Sequence, residues 1–150
     1  MITITNGDIL KANVEALVCP VNCVGVMGKG LALQFRREFP DNYEEYVYAC
    51  ETGGIVLGEV YVHSRATADL PHYIINFPTK GHWRNSSRLE DIETGLEALI
   101  AAVKRLDISS VAVPALGCGL GGLQRDAVFP LLYSAFHELP DVYALLFLGE

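Results

Sequence analysis

The sequence predicts an α/β domain of three layers, in which helices cover both faces of one central sheet. Apolar runs of strand length alternate with segments of helical periodicity, and several of these runs are apolar at every position. Continuous apolar runs are typical of strands that are buried on both faces. Because alternating strands and helices pack as a sheet between two helix layers, we assign residues 1–150 to a single domain of this class.

Six segments are predicted as strands. The first alternates between apolar and polar residues, whereas the second and the last are nearly continuous apolar runs. In chain order they are Ile2–Thr5, Ala16–Val21, Glu59–His63, Tyr73–Phe77, Ser110–Pro114 and Val142–Leu148.

Four helices are predicted between these strands. Leu31–Phe39 forms a short one, and a second begins just after Pro40. The third carries an apolar stripe at spacings of three and four residues, made of Leu89, Ile92, Leu96, Leu99, Val103 and Leu106. The fourth covers Gln124–His137, where Pro130 must lie near the helix start or kink the helix. Ser87 and Glu90 have the spacing of a capping box at the start of the third helix.

Composition excludes several classes of protein. The net charge of −7 argues against general nucleic-acid binding, so a nucleic-acid substrate needs a local basic patch. There is no apolar run of 18 or more residues and no signal peptide, which predicts a cytoplasmic protein without a membrane segment. The cysteines lack zinc-finger spacing and the histidines lack HxH or HExxH spacing, so we expect reduced thiols, no metal and no cofactor.

Two glycine-rich loops follow strands and precede helices. They are Gly25–Gly30 and Gly117–Gly122. Glycine permits close approach of a ligand to the backbone, and the following helix start directs free N–H groups at an anion. Neither loop fits the P-loop pattern, and the second lacks the βαβ context of a dinucleotide-binding fold. Two such loops facing each other would grip a diphosphate, although each alone is also compatible with a simple turn.

The order and spacing of the motifs resemble the macrodomain family over essentially the whole chain. The motifs are Gly7-Asp8-Ile9, Pro20-Val21-Asn22 and Pro114-Ala115-Leu116-Gly117-Cys118-Gly119-Leu120. Gly28-Lys29-Gly30-Leu31-Ala32, which leads to Phe39-Pro40, is similar to the glycohydrolase branch of that family. The segment Asn76–Arg84 most resembles the glycohydrolases that act on ADP-ribosylated DNA. The resemblance implies a macrodomain fold with a mixed sheet, and ADP-ribose as ligand.

By resemblance, each part of ADP-ribose has its own residues. Asp8 would accept a hydrogen bond from the adenine amino group, Ile9 would lie beside the base, and Asn22 would contact the distal ribose. Phe147 matches an aromatic residue that stacks on adenine, although the sequence alone favours a core position in the last strand. The loop residues implied to hold the diphosphate are Gly28, Lys29, Gly30, Leu31, Ala32, Gly117, Cys118, Gly119, Leu120 and Gly121.

The resemblance also implies that Lys80 is catalytic. A deprotonated lysine can attack the anomeric carbon of the distal ribose, whereas a protonated one can stabilise charge on the leaving base. The sequence leaves both roles open, and an ordinary surface lysine is the alternative. The sequence departs from the protein-directed glycohydrolases at one position, where they carry an aspartate and this chain has Gly121. By resemblance, this departure favours a DNA substrate over a protein substrate.

The residues that follow Lys80 suit a single-stranded DNA substrate. His82 and Trp83 can stack on an unpaired base, and Arg84 and Arg88 can contact phosphates. The leading hypothesis is therefore a monomeric glycohydrolase that removes ADP-ribose from thymidine in single-stranded DNA. By resemblance, it would counter a toxin that modifies DNA, and the natural protein would continue past Glu150 into a toxin-binding domain.

Other functions remain open at this stage. A non-catalytic reader of ADP-ribose needs only the binding residues. Hydrolysis of protein-linked ADP-ribose needs the acid that this chain lacks at Gly121. A phosphatase acting on ADP-ribose 1″-phosphate would call for a histidine near the first loop, and none lies between Asn22 and Phe39.

Overall fold

The computed structural model describes residues 1–149 and confirms the predicted three-layer fold. Its sheet has six strands in the order β1-β6-β5-β2-β4-β3. The first five in this order run parallel to their neighbours, and β3 pairs antiparallel with β4 at the edge, so the sheet is mixed. The strands are β1 (Ile2–Thr5), β2 (Ala16–Asn22), β3 (Tyr61–Ser64), β4 (Tyr73–Lys80), β5 (Ser110–Val113) and β6 (Tyr143–Phe147).

Two helices cover each face of the sheet. They are α1 (Gly30–Glu38), α2 (Pro40–Glu51), α3 (Leu89–Arg105) and α4 (Arg125–His137). Alternate residues of β2 divide between two apolar clusters, with Ala16 and Val18 facing α3 and α4, and Leu17 and Cys19 facing α1 and α2. This division follows from the two-residue period of a strand and explains why β2 is apolar at successive positions.

The structure corrects several predicted boundaries. Strand β4 runs past Pro78 to Lys80 and does not end at Phe77, so the candidate catalytic lysine lies in the strand. Helix α2 includes Pro40 as its first residue, where the missing proline N–H costs nothing. Helix α4 continues through Pro130, which lies inside it.

The predicted capping box of α3 is wrong. The N-cap residue is Arg88, and no side chain caps the helix. Ser87 is instead buried, and its main-chain N–H donates to the carbonyl of Gly121 at 2.9 Å. The start of α3 is thus joined to the second glycine-rich loop.

Candidate active site

A cleft of about 830 Å³ crosses the carboxyl edge of the sheet. Residues at or just after the ends of β1, β6, β5, β2 and β4 line it. This edge is where open α/β sheets bind ligands, because loops and helix starts converge there. All the residues predicted to bind ADP-ribose line this one cleft, and so does Lys80.

The strand order separates the two ends of the cleft. Asp8 and Phe147 lie at the β1 and β6 end, whereas Asn22 and Lys80 lie at the β2 and β4 end. Four strand spacings separate β1 from β4, a distance of about 19 Å. The two glycine-rich loops, which follow β2 and β5, line the space between these ends. The cleft therefore suits an extended ligand with an anionic centre.

Asn22 organises the first loop from beneath. Its Oδ1 accepts hydrogen bonds from the N–H groups of Val24 and Val26 at 3.1 and 3.3 Å, and its Nδ2 donates to the Val26 carbonyl at 2.8 Å. The Tyr46 hydroxyl lies 2.9 Å from the same Oδ1. Asn22 is only 6% exposed, and most of the hydrogen-bonding capacity of its side chain is used to hold the loop.

Ser87 supports the second loop. A Cβ at Gly121 would collide with the Ser87 hydroxyl and would lie 3.1 Å from Ser87 Cβ. Within the described part of the chain, that buried hydroxyl has no hydrogen-bond partner. The space that a side chain at residue 121 would take is thus occupied by Ser87.

Lys80 lies between the two loops. It is the register partner of Asn22 across the β2–β4 pair, where β2 has an irregularity after Val21. Its Nζ donates to the Leu120 carbonyl at 3.5 Å. Leu120 is 67% exposed, and its Cδ1 would lie 3.4 Å from a Cβ at Gly30, so its side chain reaches across to the first loop.

The opposite end of the cleft contains the residues assigned to adenine. The Asp8 carboxylate accepts a hydrogen bond from the Leu10 N–H at 3.0 Å and stays exposed. Phe147 is 7% exposed, belongs to the apolar cluster that contains Ile9, and lines the cleft. Its core position and its place at the ligand site are therefore compatible.

The candidate DNA-contacting residues divide into two groups. Trp83 and Arg84 line the cleft, and Trp83 is 44% exposed. The His82 ring lies 5.1 Å from the Trp83 ring, and the Arg84 guanidinium lies 4.7 Å from that ring on its face. Arg88 does not line the cleft and pairs with Glu90 at 2.9 Å. Trp83 and Arg84, with His82 packed against Trp83, therefore lie beside the Lys80 end of the cleft, whereas Arg88 does not.

Charge in the cleft is opposite in sign to that of the chain. Among the described lining residues Asp8 is the one acid, whereas the cations are Lys29, Lys80, Arg84 and Arg125. Asp126 lines a neighbouring hollow and is not among the described residues that line the cleft. Sequence reasoning missed Arg125, because an arginine at the start of an amphipathic helix usually lies on a solvated face.

Burial perturbs the thiol in the second loop. It raises the pKa of Cys118, and the nearby charge of Arg125 acts in the opposite direction. Cys118 is therefore a neutral, weakly polar part of the cleft wall at neutral pH. Across residues 1–149 there is no cluster of three or more potential metal ligands, and no helix has the length and apolar character needed to cross a membrane.

Comparison with known proteins gives one consistent result. The Macro domain family model matches residues 18–132. The chain is 51% identical over 147 residues to a protein named DNA ADP-ribosyl glycohydrolase from Mycobacterium tuberculosis, covering 98% of this chain and 42% of that protein's length.

Two solved structures share the architecture. The macrodomain of Mycobacterium tuberculosis DarG superposes with a TM-score of 0.96 and 51% identity, covering 98% of this chain and 97% of that one. Thermosipho africanus DarTG in complex with ADP-ribose gives a TM-score of 0.92 and 35% identity, covering 98% of this chain and 41% of that one.

Proposed function

The chain belongs to the macrodomain family, and from that premise we propose that it is an ADP-ribosyl glycohydrolase acting on ADP-ribosylated DNA. One observation carries the proposal: a cleft built for an extended anionic ligand ends at Lys80, beside Asn22 and the exposed Trp83. The similar proteins suggest the substrate, since one is named DNA ADP-ribosyl glycohydrolase and another was solved in complex with ADP-ribose.

ADP-ribose fits the order of groups along the cleft. Adenine lies against Asp8, Ile9 and Phe147, and the diphosphate lies between the two glycine-rich loops. The first loop leads directly into α1, whose first residue is Gly30, so its free N–H groups and the positive end of its dipole favour an anion. This arrangement brings the distal ribose to Lys80.

Lys80 has two chemically consistent roles. As the free amine it attacks the anomeric carbon while the bond to the base breaks, the base leaves with the bonding electrons and takes up a proton, and water then releases ADP-ribose from the adduct. As the ammonium it stabilises the charge that develops on the leaving base. In both, the Leu120 carbonyl orients Nζ until substrate arrives.

The base side of the scissile bond lies at the edge formed by Trp83 and Arg84. An exposed indole provides a stacking surface for an unpaired base, and a guanidinium provides a phosphate contact. A single strand needs no energy for base flipping, which suits a domain whose net charge is −7. We therefore place thymidine in single-stranded DNA at this edge.

A partner follows from the same comparisons. A relative from Thermosipho africanus, 38% identical, is named as a fusion of a DNA ADP-ribosyl transferase with a DNA ADP-ribosyl glycohydrolase. We propose that this chain reverses the modification made by such a transferase and thereby acts as its antitoxin.

The test is release of ADP-ribose from a single-stranded oligonucleotide that carries ADP-ribosyl-thymidine. We expect release by the wild type and a loss of at least a hundredfold in Lys80→Ala, with binding of free ADP-ribose retained. Lys104→Ala is the matched control, because Lys104 is exposed in the last turn of α3, away from the cleft. The same assay on the free modified nucleoside should give a higher KM, because the contacts to neighbouring nucleotides are lost.

Each contrary result has a distinct meaning. Full activity of Lys80→Ala would remove Lys80 from the mechanism. Binding of ADP-ribose without release from DNA would support a non-catalytic reader. This second function has some structural support, because the described residues that line the cleft include no carboxylate at the Lys80 end.

A further inference from the structure

Arg125 is a cation of the cleft that has no assigned role. It is the first residue of α4 and lines the cleft from the side opposite Lys29 and α1. Its Nη2 would lie 2.7 Å from a Cβ at Gly149, so the guanidinium occupies space that only a glycine leaves free there. Gly149 is in turn joined to Gly7, whose N–H donates to the Gly149 carbonyl at 3.3 Å.

The guanidinium lies between two parts of the ligand site. Gly7 and Gly149 adjoin Asp8 and Phe147, the residues at the adenosine end. Arg125 also acts electrostatically on Cys118 in the second loop, since its charge lowers the pKa of that thiol against the effect of burial. The packing of Nη2 against Gly149, together with its place in the cleft lining, thus puts Arg125 at the junction of the adenosine end and the diphosphate loop.

The guanidinium of Arg125 is not engaged by the described part of the chain. No hydrogen bond or ion pair joins its side chain to any other residue within 1–149. Arg125 also lines the adjacent hollow together with Asp126, but the two side chains form no ion pair. A guanidinium that packs against Gly149 and whose donors are unused by residues 1–149 is well placed to make charge-assisted hydrogen bonds to a phosphate.

We propose that Arg125 binds the phosphate next to adenosine and so selects adenosine 5′-phosphates as ligands of the cleft. The inference rests on the proposed function for the identity of the ligand. In the order of strands, the loop after β5 and the start of α4 come next to β6 and its adenine-side residues, whereas the loop after β2 lies nearer Lys80. The phosphate nearest adenosine is therefore the group that Arg125 meets.

This assignment gives Arg125 a specificity role. Anchoring the phosphate next to adenosine fixes the near half of the ligand, and the remaining half then extends to Lys80. Because the contact is to a phosphate, it strengthens binding of AMP and ADP-ribose by the same factor and leaves adenosine unaffected.

The experiment measures dissociation constants of adenosine, AMP and ADP-ribose by calorimetry, with competition for weak ligands. We expect Arg125→Gln to weaken AMP and ADP-ribose equally, by about tenfold to a hundredfold, and Arg125→Lys to recover part of the loss. Arg105→Gln is the control for net charge, because Arg105 ends α3 and does not line the cleft.

The outcomes separate this proposal from the proposed function. Unchanged affinities in Arg125→Gln, or a loss that extends to adenosine, would overturn the phosphate assignment while ADP-ribose binding by the wild type stands. A loss for ADP-ribose but not for AMP would move the contact to the other phosphate and overturn it too. Failure of the wild type to bind ADP-ribose would overturn the proposed function and this assignment with it.

A second variant tests the position of the guanidinium. Gly149→Ala places a methyl group where Arg125 Nη2 lies, and Gly149 also has a φ of 145° that favours glycine. We expect Gly149→Ala to weaken AMP binding in the wild type and to have no further effect in Arg125→Gln. Equal losses in both backgrounds would show that backbone strain alone is responsible and would contradict the proposed position.

Discussion

Gly121 shows how the packing around one residue limits which side chains a loop can contain. Its φ is not of the left-handed kind, so conformational freedom does not explain the glycine. The reason is space, because Ser87 occupies the position that a side chain at residue 121 would take. Any acid at this position would need Ser87 to move, and Ser87 is joined to the loop through its own N–H.

This contact predicts a coupled effect on stability. Gly121→Ala should lower the free energy of unfolding by about 1–3 kcal/mol, because it overpacks a buried contact. Ser87→Ala alone should be neutral or slightly stabilising, since the hydroxyl is buried and makes no hydrogen bond to the described residues. Denaturant unfolding of both single variants and the double variant measures the coupling.

In the Ser87→Ala background, the cost of Gly121→Ala should fall by at least 1 kcal/mol, because the hydroxyl that collides first is gone. Strictly additive effects would contradict this explanation of the glycine. Gly122→Ala is not a suitable control, because Gly122 has a φ of 82° and a substitution there is strained in any case.

Asn22 illustrates what a resemblance leaves out. The sequence implied a contact with the distal ribose, which stays a prediction. The structure adds a second role, since the same side chain holds the main chain of Val24 and Val26 and meets the hydroxyl of Tyr46. No spacing in the sequence indicates this, because Tyr46 comes from a helix that passes under the loop only in the folded chain.

At the scale of elements, the strands were predictable where burial is two-sided and misjudged where a proline interrupts them. Strand β4 was expected to end before Pro78, yet Pro78 pairs with Val21 of β2. Strand β3 pairs with β4 only as far as Asn76, so the side of β4 beyond it has no partner strand there. A proline is tolerated where a strand lacks a partner on one side. Strand β4 therefore continues through Pro78, and Lys80 lies within the strand.

The failure of the capping box has a similar cause. Ser87 and Glu90 have the required spacing, but the pattern does not reveal a competing partner for the serine. In the folded chain Ser87 turns toward Gly121, and Glu90 pairs with Arg88. The apolar stripe of α3, by contrast, was predictable, because four of its six positions are buried: Ile92, Leu96, Leu99 and Val103.

Helix α3 also contains a close contact with the sheet. Gly95 lies in its interior, where a Cβ would collide with the ring of Phe77 in β4, one of whose ring carbons would lie only 2.9 Å away. Gly95→Ala gains about 1 kcal/mol of helix propensity. We expect overpacking to exceed this gain and to give a net loss of about 1–2 kcal/mol in the free energy of unfolding.

Two variants check this explanation. Glu97→Ala, at an exposed position of the same helix, should change stability by less than about 0.5 kcal/mol. In a Phe77→Leu background, Gly95→Ala should become neutral or stabilising, because the ring is gone. A Gly95→Ala protein as stable as the wild type would show that helix and sheet adjust without cost.

At the scale of the whole molecule, the charge of the cleft is opposite in sign to the net charge of the chain. The chain carries −7, but the described residues of the cleft include four cations and one acid. Repulsion from the remaining surface weakens nonspecific binding of nucleic acid, and the cleft keeps its attraction for phosphate. Composition alone predicted the first property, and the second depends on how the fold brings Arg125 and Lys29 to the same edge.

Burial also gives the molecule a pH dependence of stability. Burial raises the pKa of the Cys19 thiol above its ordinary value of 9.0, and it raises the pKa of the Tyr46 hydroxyl above its ordinary value of 10.0. Above pH 9 the unfolded chain therefore loses the Cys19 proton, and above pH 10 it also loses the Tyr46 proton, while the folded chain keeps both. Since the folded state then binds more protons, the free energy of unfolding must fall as pH rises.

We expect stability to decline from about pH 9 upward, with each of the two groups contributing at most about 1.4 kcal/mol per pH unit. Cys19→Ala should be less stable at neutral pH, because it leaves a small cavity, and should show a shallower decline above pH 9. Tyr48→Phe is the matched control, since Tyr48 lies in the same helix as Tyr46 and is 66% exposed, so its decline should match the wild type. Urea unfolding at intervals between pH 7 and pH 11 measures these slopes.

An unchanged slope in Cys19→Ala would mean that the thiol ionises without unfolding. The core that separates β2 from solvent would then be more permeable than its packing indicates.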